Sequence, residues 1–102
     1  MRAAVVEKPG SIAVRDLPDP VPGRGEVLVR VEYASICGSD HHAYLGEFGE
    51  RVTFPSVLGH EFCGTVEALG EGAEGVELGA RVVVDPVIHC GRCTACREGK
   101  LS

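Results

Sequence analysis

Fourteen glycines and six prolines cut this 102-residue chain into short segments. Neither residue is at home inside a helix, so the punctuation excludes long helices and favours short strands joined by turns. Residues 3–6 and 12–17 read as two strands around a turn at 7–11. Pro18, Pro20 and Pro22 lack an amide proton, which makes residues 18–25 a surface loop. Residues 26–35 are the clearest strand. Val27, Val29, Val31 and Tyr33 share one face against Arg30 and Glu32 on the other, the period of a half-buried antiparallel strand. Residues 39–45 fit a short helical turn, with Ser39 or Asp40 as its N-cap and Gly46 as its stop. After a loop at 47–57, residues 61–69 alternate loosely and 70–75 form a glycine-rich turn. Three successive valines predict a buried strand at 81–85, ended by Pro86. The expected fold class is mainly β, a partly open β-barrel with short helical turns.

A chain of this length has room for one domain with a modest core. Its 44% hydrophobic and 25% charged residues are ordinary for a folded chain. The net charge of −5 and scattered basic residues argue against nucleic acid or a membrane surface as partner. No apolar run reaches the length of a membrane span, and the first residues do not form an export signal, so a cytoplasmic location is expected. Five cysteines is an odd number, and three of them fall together at 90, 93 and 96. That pattern points to metal rather than to disulfides.

Two stretches carry the metal chemistry. Cys37 offers a soft thiolate and His60 a neutral imidazole, both preferred zinc donors, with Glu61 a third candidate beside His60. Ser39, Asp40 and His42 follow Cys37 closely, so an ion there would sit among a hydroxyl, a carboxylate and a titratable ring. Those are the parts of metal-assisted acid–base chemistry on an oxygen substrate, with Asp40 placed to orient the His60 ring. Taken alone, a lone cysteine is more often a small buried hydrophobe and a lone histidine more often hydrogen-bonded. Cys63 reads as core, His41 as solvated, and His89 as a weak ligand candidate. Cys90-Gly91-Arg92-Cys93-Thr94-Ala95-Cys96 lets three thiolates converge on one ion. Zinc and an iron–sulfur cluster are both compatible with that run, and three ligands leave a closed structural zinc site one short. The glycines at 70–75 do not complete a dinucleotide fingerprint.

In this order and spacing the motifs resemble one family. They are Cys37-Gly38-Ser39-Asp40-His41-His42, Pro55-Ser56-Val57-Leu58-Gly59-His60-Glu61 with Gly64, Gly79-Ala80-Arg81-Val82-Val83-Val84, and the cysteine run. Together they are similar to the N-terminal GroES-like catalytic domain of a zinc-dependent medium-chain alcohol or polyol dehydrogenase, over residues 1–102. The resemblance implies a catalytic zinc on Cys37 and His60, with Glu61 able to approach it. It gives Ser39 the substrate hydroxyl proton, makes His42 the outer proton relay, and has Asp40 support His60. It assigns Cys90, Cys93 and Cys96 to a structural zinc. It further implies a small alcohol or polyol substrate of the sorbitol, butanediol or threonine kind, NAD or NADP as cofactor, and allows a homo-oligomer when full length.

The family's third catalytic-zinc ligand, its fourth structural cysteine and its nucleotide-binding domain have no counterpart in these residues. The resemblance therefore places the start of the structural-zinc lobe near residue 88 and cuts it at 102. On that reading the chain is a portion of a longer enzyme, inactive alone and binding zinc only weakly. The rival is a zinc-binding β-module or truncated remnant acting through protein partners. Ser39 and His42 beside Cys37 weigh against it, since a structural zinc needs no proton relay. A zinc-free reductase of the same superfamily would have no use for the cysteines.

Overall fold

The computed structural model describes residues 1–101. The expected cut of the second lobe at Ser102 lies outside the described residues. Among the described residues the fold is mainly β and open, with two three-stranded sheets and no closed barrel.

Strands β1 (Arg2–Lys8) and β2 (Ser11–Asp16) form an antiparallel hairpin from Arg2↔Asp16 to Lys8↔Ser11, turning at Gly10 with φ +76°. The third strand, β3 (Val27–Ser35), leads into the short helix α1 (Gly38–Tyr44). The segment read as a loop at 47–57 contains a 3₁₀ turn, Gly49–Arg51, and a two-residue strand, β4 (Ser56–Val57). β4 pairs with β1 through Val5↔Val57 and Val6↔Ser56, which completes the order β2-β1-β4. β5 (Glu61–Leu69) lies between β3 and β6 (Arg81–Val83) in the second sheet. A last helical turn, α2 (Thr94–Arg97), closes the cysteine-bearing tail.

The core is small: Val5, Val6, Ala43 and Val66 are its buried hydrophobic residues. Three sequence expectations need correction. Ser39 and Asp40 do not cap α1; Cys37 occupies the N-cap position, and its amide donates to Asp40 Oδ2 at 3.0 Å. Asp40, three residues on, is thus the returning partner of a capping box. The even alternation of β3 is broken where its register against β5 shifts, between Leu28 and Val29 and between Val31 and Tyr33. Such bulges put an extra residue on one strand and turn side chains away from their nominal face. From Arg30 to Ser35 every residue of β3 is exposed, Tyr33 at 74%, because no layer among the described residues covers this half of the strand. The valines of β6 are not a buried strand either: Val83 is 84% exposed, because β6 is an edge strand with one face uncovered among the described residues.

Among the described residues no helix is long and apolar enough to cross a membrane.

Candidate metal centres

The pairing of β3 with β5 ends at Ser35↔Glu61, and this register builds the first site. Cys37 follows two residues after the end of β3, and His60 immediately precedes β5. Gly59 has φ +119°, a backbone conformation that favours glycine, and so sets the entry of His60. The Cys37 thiol, one ring nitrogen of His60 and a Glu61 carboxylate oxygen all lie within 4.8 Å of one another. Ser35 Oγ donates a hydrogen bond to Glu61 Oε2, so the carboxylate is tied to the strand opposite. No spacing rule announces that partner.

Asp40 joins both segments. One of its oxygens takes the Cys37 amide, and the other lies 3.3 Å from His60 Nδ1. A carboxylate at Nδ1 holds the proton there and leaves Nε2 as the lone-pair donor. Ser39 Oγ stands 3.4 Å from that Nε2. Ser39, Asp40 and His60 are therefore one cluster with Cys37. His42 is not in direct contact with it: its Nδ1 bonds Glu47 Oε2. Ser39 and His42 are three residues apart on α1, which puts them on one side of the helix.

The protonation states follow from these contacts. Hydrogen bonds from the Ser39 hydroxyl and amide, and then from His60, lower the pKa of the Cys37 thiol. The Cys37 hydrogen bond raises that of His60, reinforced by the charge of Asp40. The pair thus leans towards thiolate and imidazolium. A metal bound here needs the thiolate and the bare ring nitrogen, so it displaces any proton that either group still carries.

The second centre is made of cysteine alone. The thiols of Cys90, Cys93 and Cys96 also lie within 4.8 Å of one another. Cys90 Sγ is 3.8 Å and Cys93 Sγ 3.4 Å from Cys96 Sγ. Thiolates sharing a tetrahedral zinc at about 2.3 Å stand about 3.8 Å apart, so the spacing suits such an ion. The Cys93 amide donates to Cys90 Sγ at 3.3 Å and the Cys96 amide to Cys93 Sγ at 3.5 Å. Amide donors of this kind hold negative sulfur. The backbone donors of Arg92 and Cys93, followed by the neighbouring thiols, lower the Cys90 pKa to about 7. Alkylation of Cys90 by iodoacetamide in the metal-free chain should therefore reach half its limiting rate near pH 7. Peptide mass mapping reads this directly, and a midpoint at the ordinary thiol value of about 8.5 contradicts it.

Cys63 and His89 belong to neither centre. Cys63 is half-buried rather than core, and with Tyr33, Phe62 and Val83 it lines an open groove of about 430 Å³ that also reaches Ser35 and Glu61. His89 is exposed.

Several known proteins are similar to this chain. Sorbitol dehydrogenase of Bacillus subtilis is 42% identical over 102 residues, covering 98% of this chain and 29% of the relative. Among solved structures, RspB of Escherichia coli CFT073, an alcohol dehydrogenase complexed with NADH, superposes with a TM-score of 0.84 at 45% identity. That match covers 98% of this chain and 28% of the other. The cobalt- and zinc-bound thermostable alcohol dehydrogenase of Pyrobaculum aerophilum gives 0.88 at 37% identity, covering 99% and 31%. The chain thus spans about three-tenths of the length of the relatives it matches. Residues 23–102 match the alcohol dehydrogenase GroES-like domain, and the chain belongs to that family.

Proposed function

We propose that this chain is the catalytic-domain portion, residues 1–102, of a zinc-dependent dehydrogenase that oxidises a small alcohol or polyol with NAD or NADP. The observation that carries the reading is the meeting of Cys37, His60 and Glu61 donors beside the Ser39 hydroxyl. A thiolate, an imidazole and a carboxylate are the donor set of a catalytic zinc rather than of a closed structural one. Zinc held there supplies Lewis-acid polarisation of the substrate oxygen.

The chain's own residues do the rest. Asp40 fixes the His60 tautomer so that Nε2 faces the metal position. Ser39 Oγ takes the hydroxyl proton as it leaves the substrate, and His42, one helical turn on, hands it to solvent. Glu61, held by Ser35, would be the third donor holding the zinc with Cys37 and His60. Cys90, Cys93 and Cys96 would hold a second zinc, which would tie together a lobe beginning near residue 88. The nicotinamide cofactor binds outside residues 1–102, and the relatives' greater length and the NADH of the RspB structure support this.

The test is NAD- or NADP-linked oxidation of a polyol panel by the longer enzyme that carries this domain. Treatment with a chelator should abolish turnover and added zinc should restore it. Turnover that ignores the chelator overturns the reading.

A further inference from the structure

We infer that Glu47 is a positioning residue for His42, holding the ring through Nδ1 so that Nε2 is presented as the proton-accepting atom. The inference rests on the reading above that His42 carries the proton outward.

Helix α1 ends in a reversal at Gly46, where φ is +78°. The Gly46 amide donates to Ala43 O at 3.0 Å and the Glu47 amide to His42 O at 3.0 Å. This is the paired closure of a helix C-terminus that needs a left-handed residue, here glycine. It brings Glu47 back over the last turn, so that Glu47 meets His42 twice, once through the backbone and once through its carboxylate at His42 Nδ1. The helix end is itself anchored. Tyr44 Oη donates to Gly10 O at 2.8 Å, and the Gly10 amide donates to Tyr44 O at 2.8 Å. A Cβ on Gly46 would come 2.8 Å from Pro9 Cγ, so the β1–β2 turn packs directly against the reversal. The ring of His42 lies between Phe48 and His41, with centroids 6.4 and 6.3 Å away. Among the described residues, the titratable groups facing the ring are Glu47, bonded at Nδ1, and His41.

The chemistry follows from one proton. A neutral imidazole carries a single N–H, and a carboxylate can only accept. Glu47 at Nδ1 therefore keeps the hydrogen on that atom and leaves Nε2 bare, which is the tautomer a relay needs to take a proton. Without Glu47 the hydrogen redistributes between the two nitrogens. Both side chains are about half exposed, so the bias is the few-fold effect of one charge-assisted surface hydrogen bond.

Ring ¹⁵N NMR of His42 in the chain reads the tautomer without any catalysis. Glu47→Ala should shift the tautomer ratio about five-fold towards Nε2–H. Glu47→Gln, whose amide oxygen still accepts from Nδ1–H, should restore most of the ratio, and Glu50→Ala should leave it alone. In the longer zinc-loaded enzyme, Glu47→Ala should lower kcat by a similar factor with KM unmoved, and Glu47→Gln should recover most of the loss. An unchanged tautomer ratio in Glu47→Ala overturns the inference, and so does a shifted ratio with unchanged kcat. Failure of the zinc reading shows separately, as parent activity indifferent to chelation.

Discussion

Replacing His60 with alanine should lower the cobalt affinity of the Cys37 centre by more than about 100-fold, beyond the 10- to 100-fold loss typical of a residue that only supports a ligand. The measurement is a cobalt titration in a background carrying Cys90→Ser, Cys93→Ser and Cys96→Ser, so that one centre alone reports. These three thiols stand apart from the β3–β5 pairing on which the first centre is built. The size of the effect comes from what His60 does in the geometry. It is the neutral donor between the Cys37 thiol and the Glu61 carboxylate, and Asp40 and Ser39 both spend a contact on its ring. Removing the ring leaves a thiolate, a carboxylate held only by Ser35, and an Asp40 oxygen without its ring partner. Cobalt reports through its thiolate charge-transfer band, which should weaken with the affinity. An affinity within three-fold of the parent would mean that Cys37 and His60 do not share an ion, and the proposed chemistry would lose its centre.

Different parts of this molecule were legible in the sequence to different degrees, and the reasons are physical. Turn positions were clear because glycine and proline restrict the backbone locally: Gly10, Gly46 and Gly75 all take positive φ in the turns they mark. Donor type and the family resemblance suggested that Cys37 and His60 share a site; the pairing of β3 with β5 that leaves them at neighbouring strand ends could not be read from the sequence. What escaped was everything that depends on which face finds a neighbour. The alternation of β3 looked regular, yet two register shifts interrupt it and its second half, Tyr33 included, has no layer over it among the described residues. The valines of β6 looked buried, but an edge strand buries only what another layer covers. Ser35 on Glu61 and Glu47 on His42 are side-chain partners whose pairing depends on tertiary register or on a helix reversal, and no spacing rule announces them. The short helix Thr94–Arg97 escaped because a four-residue turn has no hydrophobic period to read.

The second large effect is expected at Gly64, where fold and site are coupled. Gly64 is buried in β5 opposite Val31, between the two register shifts of β3. A Cβ built there would stand 2.1 Å from Arg30 O and 2.8 Å from Arg30 C, a clash with backbone that no rotamer relieves. The strands must separate locally, so Gly64→Ala should cost about 3 kcal/mol or more, the upper end of overpacking penalties. A domain of this size holds roughly 5–15 kcal/mol, so the loss is a large part of its stability. Gly38→Ala is the matched control: its φ is not positive and nothing lies within 4 Å of the added Cβ. It should move stability by about 0.5 kcal/mol or less, in the stabilising direction that lost unfolded-state freedom favours. Urea unfolding separates the two variants, and equal midpoints would show that β3 and β5 do not approach so closely. The clash also reaches the chemistry, because β3 ends two residues before Cys37 and β5 begins one residue after His60. Prising the strands apart at Gly64 moves one donor against the other, so Gly64→Ala should weaken the cobalt charge-transfer band even below the unfolding midpoint.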